Sequence, residues 1–139
     1  MSVRSVPSIG DIALFAEAVA ALFIAGVAVR FWPFRAIVRS MDWSGRRGRA
    51  VDAATVATAV RRASRRVPWR TVCFQEGLAV LWLLRRRGAP ARLHYGIRND
   101  ADRLSAHVWV TLDGLPVIGQ EQVDPHSCVA TFPAAALDA

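Results

Sequence analysis

The sequence predicts an α+β domain in which helices come first and a small antiparallel sheet follows. Two changes of pattern carry this reading. Up to Gly88 the apolar residues recur at helical spacing, and beyond it the period falls to two, in "ARLHYGIR" (91–98) and "AHVWVTL" (106–112). Asp113-Gly114 then gives a hairpin signal, with "LPVIGQEQV" (115–123) as the returning strand.

Composition sets the outer limits. At 139 residues the chain makes one compact domain with a single core, and 53% hydrophobic against 21% charged residues excludes disorder. The net charge is +7, and all 18 basic residues are Arg. They fall in scattered pairs and triplets, without the interleaved aromatics of a nucleic-acid surface, so nucleic acid is not an expected partner. Two cysteines do not make a disulfide framework, which favours a reducing, cytoplasmic setting. With no CxxC or HExxH spacing, two Cys and three His make no zinc site. The reading calls for no metal and no cofactor.

Each element has its own signals. Ile12 to Val29 is an apolar stretch with one charge, Glu17, and Asp11 stands ahead of it as a cap. It reaches the lower limit for a membrane span, but a charge near the middle of a span is costly, and a cleavable signal is not indicated. A helix packed on its own domain or on a partner protein is therefore expected, with membrane contact the less favoured role. Pro33 interrupts it, Arg35 to Met41 forms a short second helix, and "DWSGRRGR" (42–49) is a loop. The segment 1–49 is thus an apolar helical lead-in to a core over 50–139. A third helix runs from Ala50 to Val67, with Val56, Val60, Ala63 and Val67 on one side, until Pro68 stops it. A fourth, Val72 to Arg87, ends in basic residues and Gly88. Pro116 confines the last strand to a sheet edge.

Cys73 opens the fourth helix, where unpaired backbone N–H groups and the helix dipole favour a thiolate. The same N–H groups can stabilise an oxyanion on an attacked carbonyl. Free cysteines are also common core residues, so the position acquires chemical meaning only with a base. His107, among apolar strand residues, supplies one, because imidazole can accept the thiol proton. His94 on the neighbouring strand is the alternative, and His126 in "DPHS" the most remote.

These residues bring a family into view. "CFQEGLAVLWLLRRRGAPARLHYGIRND", followed by "AHVWVTLDGLPVIG", resembles the transglutaminase-like cysteine proteases of lasso-peptide biosynthesis. Their pattern is a Cys opening an apolar helix, an "LLRRRG" end, a "GIR" or "GVR" strand and then "HAWVEVDGRPV". The resemblance is close over about residues 67 to 120 and looser at the apolar helix and the "VATFP" tail, 129 to 133. It implies a papain/transglutaminase-like core, Cys73 as nucleophile, His107 as base, and Trp69 helping to shape the oxyanion site or serving as a core or lid aromatic. The implied activity is removal of the leader from a ribosomally made precursor peptide, before an ATP-dependent cyclase closes the macrolactam ring; the alternatives are a non-catalytic scaffold that binds precursor or partner, and acyl transfer on the same Cys–His pair.

The family's third member, commonly an Asp twelve residues after the His, is replaced here by Gly119. Hairpin register decides the substitute. A tight type I′ turn at Asp113-Gly114 pairs Leu112 with Leu115 and sets His107 opposite Gln120. A type I turn with Gly114 as a bulge sets His107 opposite Gly119, with Glu121 one step farther on the same face. Glu121 is preferred, because a carboxylate stabilises an imidazolium better than an amide does. Asp124 is the outside choice. Residues 1 to 67 carry no strand pattern, so the family's winged-helix leader-binding module is expected as a separate protein. The apolar helix or the arginine-bearing surface is then the docking face for that protein or the cyclase.

Overall fold

The computed structural model describes residues 9–43, 45, 52–69, 71–100, 103–119 and 127–132. Four helices, α1 (Ile9–Phe31), α2 (Phe34–Asp42), α3 (Ala53–Arg66) and α4 (Cys73–Arg86), precede four strands. These are β1 (Ala91–Asp100), β2 (Arg103–Leu112), β3 (Leu115–Ile118) and β4 (Ser127–Phe132), joined as one antiparallel sheet in the order β3-β2-β1-β4.

α4 is the centre of the core. Leu78, Leu81 and Leu84 are completely buried, and α1, α3, β1 and β2 all pack against it. Truncating such a leucine to alanine costs about 2–5 kcal/mol. Gly77 makes the close approach to the sheet, since a Cβ there would stand 2.9 Å from Val108 Cγ1. Glycine inside a helix ordinarily destabilises it by about 1 kcal/mol, and here that cost is offset by helix–sheet packing.

The starts of α3 and α4 differ. Asp52 caps α3 through its carboxylate and the Ala54 N–H, whereas Val72 precedes α4 and has no side-chain acceptor to offer. The Gln75 side chain returns to the Val72 N–H at 3.4 Å, but among the described residues no side chain caps the N–H groups that open α4. Glu76 in that turn takes part in a polar cluster with Ser64 and Thr71, which ties the end of α3 to the start of α4.

α1 begins at Ile9, earlier than the apolar run suggests, which puts Asp11 within its first turn rather than at the cap. It is long and apolar enough to cross a membrane by length and composition. Ala18, Leu22, Ala25 and Ala28, at helical spacing, are nevertheless fully buried against the domain. Glu17, the charge inside the apolar stretch, pairs with Arg87 at the far end of α4. That contact joins two sequence features, the interrupted apolar run and the basic helix end, that read separately in one dimension.

The hairpin takes the tight form. Leu112 pairs with Leu115, and Asp113 and Gly114 both have positive φ, 53° and 79°, as a type I′ turn requires. The bulged turn at Gly114, on which the preference for Glu121 rested, is therefore corrected. An irregularity does occur, but farther along: Thr111 pairs with Pro116 and Val110 with Ile118, so the extra residue is Val117. β3 is an edge strand, as Pro116 requires. β4 was not anticipated as a strand; it adds to the opposite side of the sheet by pairing with β1.

Candidate active site

Cys73 is the first residue of α4 and is exposed. Its level on the sheet follows from the packing. Gly77, one turn further on, lies against Val108, and at the far end Arg85 donates to the Ala91 carbonyl, next to Leu112. One helical turn covers about 5.4 Å, and two strand residues about 6.6 Å. The start of α4, which carries Cys73, therefore points toward the Ala106–His107 part of β2.

His107 is buried, with 7% of its surface exposed, and its Nε2 lies 2.9 Å from the Gly119 carbonyl oxygen. A carbonyl only accepts, so Nε2 carries the proton and donates it. In the neutral ring the lone pair is then on Nδ1. The backbone oxygen of residue 119 is thus one partner of the ring.

Gly119 is suited to that role by its backbone. Its φ is +80°, and a Cβ there would stand 2.6 Å from the Val108 carbonyl oxygen. A side chain, aspartate included, cannot be placed at 119 without moving β2. No residue type announces the contact to His107, because a carbonyl belongs to every residue. Gln120, Glu121, Asp124 and His126 lie outside the described residues.

His94 is differently placed. Its Nδ1 meets Thr131 Oγ1 at 3.0 Å, its Nε2 meets Thr111 Oγ1 at 2.7 Å, and its ring stacks on Trp109. Burial, and after it the Arg92 guanidinium, lowers its pKa from the ordinary imidazole value. With hydroxyls on both nitrogens, His94 joins three strands and is poorly placed to serve as a base.

Trp69 packs edge-on against Phe23 of α1, with ring centroids 5.8 Å apart. Its Nε1 is buried without a hydrogen-bond partner among the described residues. Such a donor costs about 1–3 kcal/mol if nothing ever fills it, so it calls for an acceptor beyond the described residues.

Strand alternation places the parts on two faces. Val108 and Val110 face α4, so His107, Trp109 and His94 belong to the other side. The start of α4 points toward the part of β2 that carries His107, but the imidazole springs from the side away from the helix. An apolar groove of about 440 Å³ also opens between α1, α2 and α4. Its α4 lining is Trp82, Leu83 and Arg86, more than two turns from Cys73, so its size does not make it the reaction site.

The family model of the transglutaminase-like superfamily matches residues 19–130, from α1 into β4. The chain belongs to that superfamily, whose members include cysteine peptidases and acyltransferases. No curated protein and no solved structure matches the chain.

Proposed function

We propose that this protein is a cysteine peptidase that removes the leader from a lasso-peptide precursor before the macrolactam is closed. The observation that carries the reading is the hydrogen bond from His107 Nε2 to the Gly119 carbonyl, which prepares Nδ1 as a proton acceptor.

This reading requires the start of α4 to bring Sγ to the His107 face of the sheet; there Nδ1 takes the proton of Cys73, and Sγ bonds to the scissile carbonyl carbon. The oxyanion is held by the opening N–H groups of α4 and by Trp69 Nε1. Collapse expels the leaving amine, which receives the proton from His107. Water then adds to the thioester, releases the leader's carboxylate and returns the thiol. The enzyme works in the cytoplasm with a separate leader-binding protein, which raises the effective concentration of precursor, and hands its product to the cyclase.

The test is mass spectrometry of precursor incubated with the protein and its leader-binding partner. A leader fragment with wild type and none with Cys73→Ala is expected. Intact precursor with wild type, or cleavage by the Ala variant, sinks the reading. A non-catalytic scaffold that binds precursor or partner is the second reading, favoured by the placement of His107 on the sheet side away from α4. Under it, precursor binds equally well to wild type and Cys73→Ala, and neither cuts it.

A further inference from the structure

The outward face of α1 is as apolar as its buried face. Away from the core, Ile9, Ile12, Ala16, Ala20 and Phe23 follow at helical spacing and are exposed, Phe23 also lying edge-on to Trp69, and Asp11 and Glu17 fall outside that series. Ile9 is 86% exposed and Phe23 58%. A helix on the surface of a water-soluble domain normally turns a polar stripe outward. Here about 35 Å of helix, from 23 residues, presents hydrocarbon to the surroundings.

The stripe ends in an arginine–aromatic elbow. Residues 30–35, "RFWPFR", are all exposed, Phe31 to 71% and Phe34 to 59%. The Arg30 guanidinium lies over the Phe31 ring, and Arg39 on α2 is exposed as well. Beside the stripe opens the apolar groove, where Ala20 and Ile24 meet Trp32 and Trp43.

We propose that this face seats the protein on an anionic lipid bilayer, with α1 lying in the plane of the membrane. Three features select that occupant. An interface with another protein needs about one hydrogen bond per 100–200 Å², and a stripe without polar side chains has none to give. Indole and guanidinium at the edge of an apolar face suit the headgroup layer. The charge complements anionic lipid, with Arg30, Arg35 and Arg39 exposed at the elbow and a net charge of +7 over the chain. Spanning is a different matter, because it would strip Ala18, Leu22 and Ala25 from the core. The seat is independent of the peptidase reading.

Co-sedimentation of the full chain with phosphatidylcholine vesicles, with and without phosphatidylglycerol, tests it. Each arginine near an anionic surface adds about 1 kcal/mol, so binding at least about tenfold stronger to the anionic vesicles is expected, and weaker at high salt. Brominated acyl chains should quench tryptophan fluorescence. Phe31→Ser combined with Arg30→Gln should weaken binding about tenfold or more, with circular dichroism and Tm unchanged. Failure to pellet with either vesicle, or equal pelleting with both, overturns the proposal. So does a dimer in sedimentation velocity that Phe31→Ser dissolves, which would make a second copy the cover.

Discussion

His94 and His107 sit on adjacent strands and share one face of the sheet, yet they are held in different ways. His94 has a hydroxyl on each nitrogen and a tryptophan against its ring. His107 has a carbonyl on Nε2, an acceptor that dictates which nitrogen keeps the proton. A hydroxyl can donate or accept, so it leaves the tautomer open. A histidine becomes a base through what its other nitrogen touches, and the type of strand residue does not decide it.

The largest expected effect separates the two rings directly. His107→Gln should lower leader removal by about 10³-fold or more, as loss of a general base does in related thiol and hydroxyl enzymes. His94→Gln should leave the rate within a few fold and lower Tm instead. Purified variants assayed side by side decide it, and equal losses would mean that His94 shares the chemistry.

Trp69→Phe keeps most of the ring and deletes only the buried donor. Loss of an oxyanion donor costs about 10²–10³ in rate, so a fall of that order in kcat with little change in KM is expected. A change confined to Tm would make Trp69 a packing residue.

The orienting group is tested next. If the Gly119 carbonyl holds His107, Glu121→Gln should change the rate less than about tenfold, whereas loss of an orienting carboxylate costs far more. A drop of about 10²-fold or more would return the role to Glu121. Gly119→Asp, which writes in the Asp of the lasso-peptide protease pattern, should slow the enzyme rather than improve it, because its Cβ collides with the Val108 carbonyl oxygen.

The smallest effect is on stability against pH. His94 has a lowered pKa in the folded protein, relative to an ordinary value of 6.5. The unfolded chain therefore binds the proton more readily, and stability rises with pH in that window. The contribution is fully present above 6.5 and is lost as pH falls through the folded value. Denaturation midpoints measured from neutral to mildly acidic pH should decline in wild type and decline less in His94→Gln. Parallel curves would show that His94 does not carry the dependence.

Much of this was written in local pattern. Cys73 opens a helix because Val72 and the residues before it break the preceding periodicity and the apolar run after it must be buried. β1 and β2 show as strands because their side chains alternate, and Pro116 marks an edge because it has no N–H to give. β4 carries no such local signal, because its pairing is with β1, thirty or more residues earlier, and a short apolar tail has no turn to announce it.

The sequence by itself determined that helices precede strands, that the thiol stands at a helix start and that a turn falls at Asp113-Gly114, since each depends on neighbours a few bonds away; the tight form of that turn and the fourth strand came from the structure. Tertiary structure alone decided three matters. The Val117 irregularity follows from how β3 meets β2 beyond a turn that looks regular. The carbonyl on His107 is a backbone atom, so no residue type encodes it, and only the positive φ of Gly119 and its close approach to Val108 bring it there. The two faces of α1 are equally apolar in sequence, and packing against α3 and α4 chose which one to bury. Burial depends on what lies across the gap, and one strand of letters does not contain that distance.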